Sequence, residues 1–330
     1  MQKSTLKKLS ETLGLSISTI SRALKDHPDI SDATKKKVKE LADAMEYEPN
    51  SYAVQLRTRK SNVIGVLIPT INNFFYDSFI GAVEEEARKN GYSLLIMQSG
   101  DTVENETASL HLFRKNMVMG VLVALSVETT DLTPFKKMEE LEVPVVFIDR
   151  VPEQQGFYTV CLADAAAACM AAEAIIQKNK KNVLALFGHP HLSISKIRKE
   201  RFLETFKQKA PGTVISIADT ENADPSRQAA TAALTSANPP DVIFCMGDLI
   251  LVGVMKAIHT LQLQVPKDIS VISISNGLIP GMFNPEVTFV ETSGSKLGKL
   301  AFAQLLARLK NGNVAENVCV ESVLVNGGSL

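Results

Sequence analysis

The chain predicts two folds in tandem: an N-terminal all-α helix-turn-helix head, then an α/β core of two parallel-sheet subdomains. Three observations point there. Residues 6–24 read as two short helices interrupted at Gly14-Leu15. From Asn62 onward, apolar runs of strand length alternate with helix-length segments, in two sets of about 100–130 residues each. The charge is also uneven: residues 1–60 hold 12 Lys+Arg against 8 Asp+Glu, a net of +4. The rest of the 330-residue chain holds 23 against 28, a net of −5. A small basic head on a larger acidic body suits a head that meets phosphates.

The first helix carries Leu6, Leu9 and Leu13 on one stripe. Gly14 supplies the positive φ of a tight turn, and Ser16 offers its hydroxyl as a cap to the next helix. In that second helix Ile20, Ala23 and Leu24 turn inward. Ile17, Ser18, Ser21, Arg22 and Lys25 turn outward, and cannot all be buried. Short hydroxyls beside an arginine and one exposed apolar residue suit the DNA major groove, where Arg forks onto guanine and an aliphatic group meets a thymine methyl. A generic helical hairpin would show the same local pattern. Ser31 caps a third helix whose stripe is Val38, Leu41, Ala42 and Met45. Glu48-Pro49-Asn50 stops it, because the residue before proline leaves the helical region. In 50–60, Tyr52, Ala53 and Leu56 recur at helical spacing ahead of Arg57, Arg59 and Lys60, too short a segment for a stable helix alone.

The core begins with Val63-Ile64-Gly65-Val66-Leu67-Ile68, a continuous apolar run like a strand buried on both faces. A helix is expected over 78–89, with strands over 92–98, 121–124 and 145–148. A second set of strands falls at 183–187, 214–217, 242–246 and 270–274. No internal sequence repeat is visible. The loop after the first strand holds Phe74, Phe75 and Tyr76, aromatics suited to stacking on a ring or to packing the subdomain.

Several function classes find no support. No GxxxxGK[ST], GxGxxG after a strand, GxSxG or HExxH occurs, and the acidic residues show no catalytic spacing. His189 and His191 flank Pro190 as loop histidines without a third metal ligand at a sensible spacing. Cys161, Cys169, Cys245 and Cys319 are widely spaced in apolar runs, as buried thiols in a reducing compartment would be. No apolar stretch reaches the 18 or so residues of a membrane span, and no signal-peptide core opens the chain. A cytoplasmic protein without catalytic site, cofactor or metal is expected.

Residues 4–57 resemble the DNA-binding head of the lactose-repressor (LacI/GalR) family of bacterial transcription regulators. The likeness rests on Thr5-Leu6, Gly14-Leu15-Ser16, Thr19-Ile20-Ser21-Arg22-Ala23-Leu24, Ser31, Thr34, Tyr47-Glu48-Pro49-Asn50, Ala53 and Leu56, in order and without gaps. The body resembles the same family's periplasmic-binding-protein-like core. The resemblance implies a head over 1–48, a hinge over 49–61, and a ligand-binding and dimerisation core over 62–330. Its N-subdomain would span 62–160 plus 292–320 and its C-subdomain 161–291 plus 321–330, with crossings near Asp149-Arg150, 289–293 and the C-terminal segment. Operator DNA would be met by Thr5, Leu6, Ser16, Ile17, Ser18, Thr19, Ser21, Arg22, Thr34, Asn50, Ala53 and Leu56. Arg22, Ser18 and Ile17 would read bases, and the hydroxyls would position phosphates. Residues 50–57 would fold on the operator, with Leu56 wedging into the minor groove.

A small effector, a sugar or related polyol, would bind between the subdomains at the strand C-termini. Phe75 or Tyr76 would stack on it, while Asp149, Arg198, Asp248 and Ser275 hold it. Arg150 reads either as a site residue or as an ion-pair partner. The chain departs from the family pattern at Gly247, Leu251, Arg201, Ser275-Asn276 and 325–329, so no known effector can be carried over. Without a leucine-heptad tail a dimer is expected, on a pseudo-palindromic site, with effector releasing DNA. The competing readings are a solute-binding protein of transport or receptor type and an α/β enzyme.

Overall fold

The computed structural model describes residues 6–47, 61–312 and 314–330. The chain separates into two units, residues 1–61 and 62–330. Thr5, Asn50, Ala53 and Leu56, with nearly all of the hinge expected over 49–61, lie outside the described residues.

The head holds α1 (Leu6–Leu13), α2 (Ile17–Leu24) and α3 (Asp32–Ala44). Leu9, Ile20, Ala23, Val38 and Ala42 are its buried centre, with Leu6, Leu13, Leu41 and Met45 packed around them. These are the stripes the helical periodicity marks out. Gly14 sits at φ +63°, a conformation that costs glycine nothing and that ends α1 abruptly. The Ser16 hydroxyl accepts from the Thr19 amide at 3.1 Å, and the Ser31 hydroxyl from the Thr34 amide at 3.3 Å, satisfying orphan donors at both helix starts.

In the core, β1 (Val63–Ile68), β2 (Ser93–Gln98), β3 (Gly120–Val123), β4 (Val145–Ile148), β5 (Tyr158–Leu162) and β11 (Asn317–Val320) form one sheet, ordered β11-β5-β4-β3-β1-β2. The second contains β6 (Asn182–Phe187), β7 (Val214–Asp219), β8 (Val242–Cys245), β9 (Ser270–Ser275), β10 (Thr288–Glu291) and β12 (Val323–Val325), ordered β12-β10-β9-β8-β6-β7. All pairings are parallel except β10 with β12. The two orders are the same, each placing its first strand between the second and third. That arrangement creates a switch point where connections leave the sheet in opposite directions and a crevice opens.

Helices cover both faces. In the first lobe α4 (Phe74–Lys89) and α11 (Gly294–Leu309) cover one face, and α5 (Val103–Lys115) and α6 (Thr133–Glu140) the other. In the second, α7 (Asp164–Gln177), α8 (Ser193–Lys209), α9 (Ala223–Leu234) and α10 (Asp248–Thr260) enclose a core centred on Phe187, Phe202 and Phe244. The helix pairs approach closely through glycine. A Cβ at Gly298 would stand 2.7 Å from the Phe79 carbonyl oxygen, and one at Gly253 would collide with that of Ala223.

The structure departs from two expectations. α4 starts at Phe74 rather than at residue 78, because Asn73 Oδ1 accepts from the Phe75 amide at 2.9 Å and starts the helix there. The aromatic triplet is thus the first turn of a helix rather than a loop. Nor does the chain cross between sheets at Asp149-Arg150: it returns through β5, which pairs with β4 in the same sheet. The crossings come after β5, after β10 and between β11 and β12. The departing C-terminal segment is anchored at Ser329, whose hydroxyl accepts from the Thr288 amide (2.8 Å) and donates to the Val271 carbonyl (2.6 Å).

Candidate functional site

The chain offers two surfaces, one on the head and one in the core. On α2 the buried side is taken by Ile20 and Ala23, which leaves Ile17, Ser18, Arg22 and Lys25 exposed and Ser21 half-buried. Ile17 is 49% exposed, unusual for a branched aliphatic unless it awaits a partner. The Ser16 hydroxyl lies 2.7 Å from that of Ser18 and 2.8 Å from that of Thr19, so the three form one cluster at the helix start. Among the described residues Arg22 has only a loose 4.0 Å approach to Asp29, and its guanidinium is mostly exposed. Thr34 pairs its hydroxyl with Ser31 at 2.9 Å at the start of α3, and Leu6 is half-buried against the head core. A helix N-terminus with hydroxyls, one aliphatic and one unspent guanidinium is equipped to meet phosphates and base edges.

The core surface is a cleft of about 480 Å³ at the carboxyl ends of the strands of both sheets. All six residues expected to hold an effector line it: Phe75, Tyr76, Asp149, Arg198, Asp248 and Ser275. Each is placed by a specific element. Asp149 follows the last residue of β4 at φ +55°, a left-handed conformation that aspartate tolerates, and is 7% exposed. Tyr76, buried in the first turn of α4, donates its hydroxyl to Asp149 Oδ2 at 2.7 Å. Its ring is thereby fixed as a positioner of the carboxylate, which leaves Phe75, packed edge-on against it at 5.5 Å, to face a ligand. Burial pushes the Asp149 carboxyl above its usual range, partly offset by Arg150 and Tyr76. The Tyr76 phenol is pushed well up, by burial first and by Asp149 second.

Arg198, on α8, is 6% exposed and already engaged. Its Nε donates to Asp164 Oδ1 at 2.7 Å, Nη2 approaches the same oxygen at 2.5 Å, and Nη1 donates to the Met246 carbonyl at 3.0 Å. A guanidinium carries five N–H groups, so donors remain for a ligand oxygen. On the same lobe Asp248, the first residue of α10, accepts a very short hydrogen bond from the Ser275 hydroxyl at the end of β9. Ser275 Oγ also accepts from the Gly277 amide at 3.0 Å. Burial raises the Asp248 carboxyl as well, against the pull of Ser275.

Arg150 and His189, which the sequence marked, and Thr220, Glu221 and Asn222, which it did not, complete the wall. Arg150 is the ion-pair partner of Asp101 at 2.5 Å, the alternative role open for it, while still lining the cavity. Glu221, Asn222 and Thr220 follow β7, and His189 stands 3.7 Å from Glu221. Their only signal in the sequence was position, just past the end of a strand in a parallel sheet. His189 and His191 contact each other with ring centroids 5.3 Å apart, and no group of three metal-ligating side chains exists among the described residues. Buried Glu106, raised by burial, accepts from the Ser126 amide (3.0 Å) and the Thr129 hydroxyl (2.8 Å), fixing the loop that brings Val127 to the cleft. Among the described residues, contacts that span the lobes include Asn276 Nδ2 donating to the Phe74 carbonyl at 2.9 Å and Lys196 pairing with Glu153 at 2.9 Å, with Lys296 pairing with Glu291 at 2.7 Å beside a crossing. No helix among the described residues is long and apolar enough to cross a membrane.

Comparison with known proteins agrees with this layout. A family model described as bacterial regulatory proteins, lacI family, matches residues 5–50, and one described as a periplasmic binding protein-like domain matches 172–330. A ribose operon repressor of Halalkalibacterium halodurans is 26% identical over 307 residues, covering 93% of this chain and 90% of that one. The HTH-type transcriptional repressor PurR of Vibrio atlanticus is 26% identical over 310 residues, covering 93% and 92%. A crystal structure of the lac repressor dimer bound to operator and the anti-inducer ONPF superposes with a TM-score of 0.90 over 99% of each chain at 20% identity, a likeness of fold.

Proposed function

We propose that the chain is a DNA-binding transcription regulator of the lacI type, a cytoplasmic repressor whose hold on a pseudo-palindromic operator is set by a small polyhydroxylated effector in its cleft. The observation that carries the reading is the exposed face of α2, with Ile17, Ser18 and Arg22 left unburied, on the same chain as a polar cleft between two lobes. One head of this size contacts too little DNA for tight binding, so the acting species is a homodimer that places two copies of α2 in successive major grooves. In the cleft Asp149 and Asp248 accept from hydroxyls, Arg198 donates to them, and Phe75 stacks on the apolar face of a ring. A few such directed groups fix a ligand's orientation.

Effector and operator favour different lobe arrangements, so each weakens the other by the same factor. The test is fluorescence anisotropy on DNA upstream of the chain's own reading frame. Binding in the nanomolar range that Arg22→Ala reduces at least tenfold is expected. Binding no tighter than to scrambled DNA would refute the reading. Sedimentation equilibrium should give a dimer at micromolar concentration.

A further inference from the structure

We propose that the cleft is a charge filter, which admits uncharged or amine-bearing polyols and rejects sugar phosphates and sugar acids. This rests on the reading of the cleft as an effector site and adds the chemical class of its ligand.

The charges that line the cavity do not balance. Among the residues lining the cavity are four carboxylates, Asp101, Asp149, Asp248 and Glu221, two guanidiniums, Arg150 and Arg198, and no lysine. Both guanidiniums are matched within the protein. Arg150 pairs with Asp101 at 2.5 Å. Arg198 pairs with Asp164, which lies behind it, at 2.5 Å. What remains is negative. Asp149 is held by the Tyr76 hydroxyl and Asp248 by the Ser275 hydroxyl, neutral donors that leave the charge in place. Glu221 approaches His189 at 3.7 Å.

The start of α10 would ordinarily welcome an anion through its dipole, but Asp248 occupies its first turn and offsets that field. The start of α4 is closed by Asn73, whose side chain takes the Phe75 amide. An anionic ligand would thus meet like charge in a partly desolvated space, where it is poorly screened. A hydroxyl, by contrast, donates to the open carboxylate oxygens and accepts from Arg198, and an ammonium does the first more strongly.

The experiment compares ligands of one shape and different charge. Calorimetric titration of the full-length protein would use glucose, glucosamine, glucuronamide and glucuronate, and then ribose beside ribose 5-phosphate. Glucuronamide is the neutral counterpart of glucuronate at nearly the same size, so it separates charge from bulk. The expected result is that any ring that binds does so at least tenfold tighter in its neutral or amine form than in its anionic form. In the double variant Asp248→Asn/Glu221→Gln that gap should shrink at least threefold. Glucuronate binding as tightly as glucuronamide, or ribose 5-phosphate as tightly as ribose, would overturn the filter and leave the effector site standing. A gap unchanged in the double variant would also overturn it. Failure of every ring to bind would remove both the filter and the polyol reading of the cleft.

Discussion

At the scale of single residues, Tyr76 and Arg198 share a trait: both look like ligand contacts in sequence, and both are already bonded to the protein. Tyr76 spends its hydroxyl on Asp149, and Arg198 spends three donors on Asp164 and Met246. The sequence could suggest that these side chains belong to a site but not how they divide the work, because Asp164 and Met246 are distant from Arg198 in the chain. Arg22 is different. Its outward direction follows from the periodicity of α2 alone, and it remains exposed. Arg22→Ala should cost about 1–3 kcal/mol of operator affinity and relax specificity at one base position. Competition anisotropy with single-base operator variants checks this; undiminished selectivity would dismiss the role.

Asp248 yields a stability prediction. Its carboxyl, like that of Asp149, is raised by burial above the ordinary 3.8. A group raised in the folded state favours folding when protonated, fully so below its unfolded value, and loses that contribution as pH climbs through the folded value. Asp248→Asn stays neutral throughout, so the ligand-free variant should melt above the wild type at pH 7. That advantage should disappear as pH falls toward 4, and a pH-independent difference between the melting curves would contradict it.

At the scale of elements, the central strands were legible because β1, β3, β4 and β8 are unbroken apolar runs buried on both faces. β5, β10, β11 and β12 were not. Thr159, Thr288 and Asn317 interrupt the apolar pattern of the first three, β12 is only three residues long, and each gains its ladder from a neighbour of distant sequence. The start of α4 was misplaced for a related reason: capping by Asn73 outweighs the moderate helix propensity of three aromatics. Glycine marks the tightest helix contact. Gly253→Ala should drive a methyl into the Ala223 carbonyl, cost about 1–3 kcal/mol, and lower Tm by roughly 2–9 °C. Differential scanning calorimetry decides this, and an unchanged Tm would mean that α9 and α10 move apart without cost.

At the scale of the molecule, the order of elements and the two sets of strands were readable, and their shared strand order was not, since the two sheets repeat it without visible sequence repetition. The lobes hold one another across the cleft through Asn276 with Phe74 and Lys196 with Glu153. Asn276→Ala removes that interlobe hydrogen bond, worth about 0.5–1.5 kcal/mol, together with the local bond its Oδ1 accepts from the Leu278 amide at 3.1 Å. It should weaken effector binding by about two- to tenfold while leaving the fold intact, as titration calorimetry and circular dichroism would register. Effector affinity equal to wild type would show that this contact does not take part in closure.

The three crossings between lobes lie side by side, since β5 neighbours β11 in one sheet and β10 neighbours β12 in the other. Two bodies joined by one strap can swing, twist and slide; three adjacent straps resist twisting and sliding and leave a swing about a single axis. The gap from Asp149 on one lobe to Asp248 on the other then depends on one angle. On the proposed reading of the cleft, an effector seated between them would act as a gauge block, its length setting how far the jaws shut. Two ligands making the same hydrogen bonds but differing by one ring substituent across the gap would hold the jaws at different angles and so send opposite instructions to the operator.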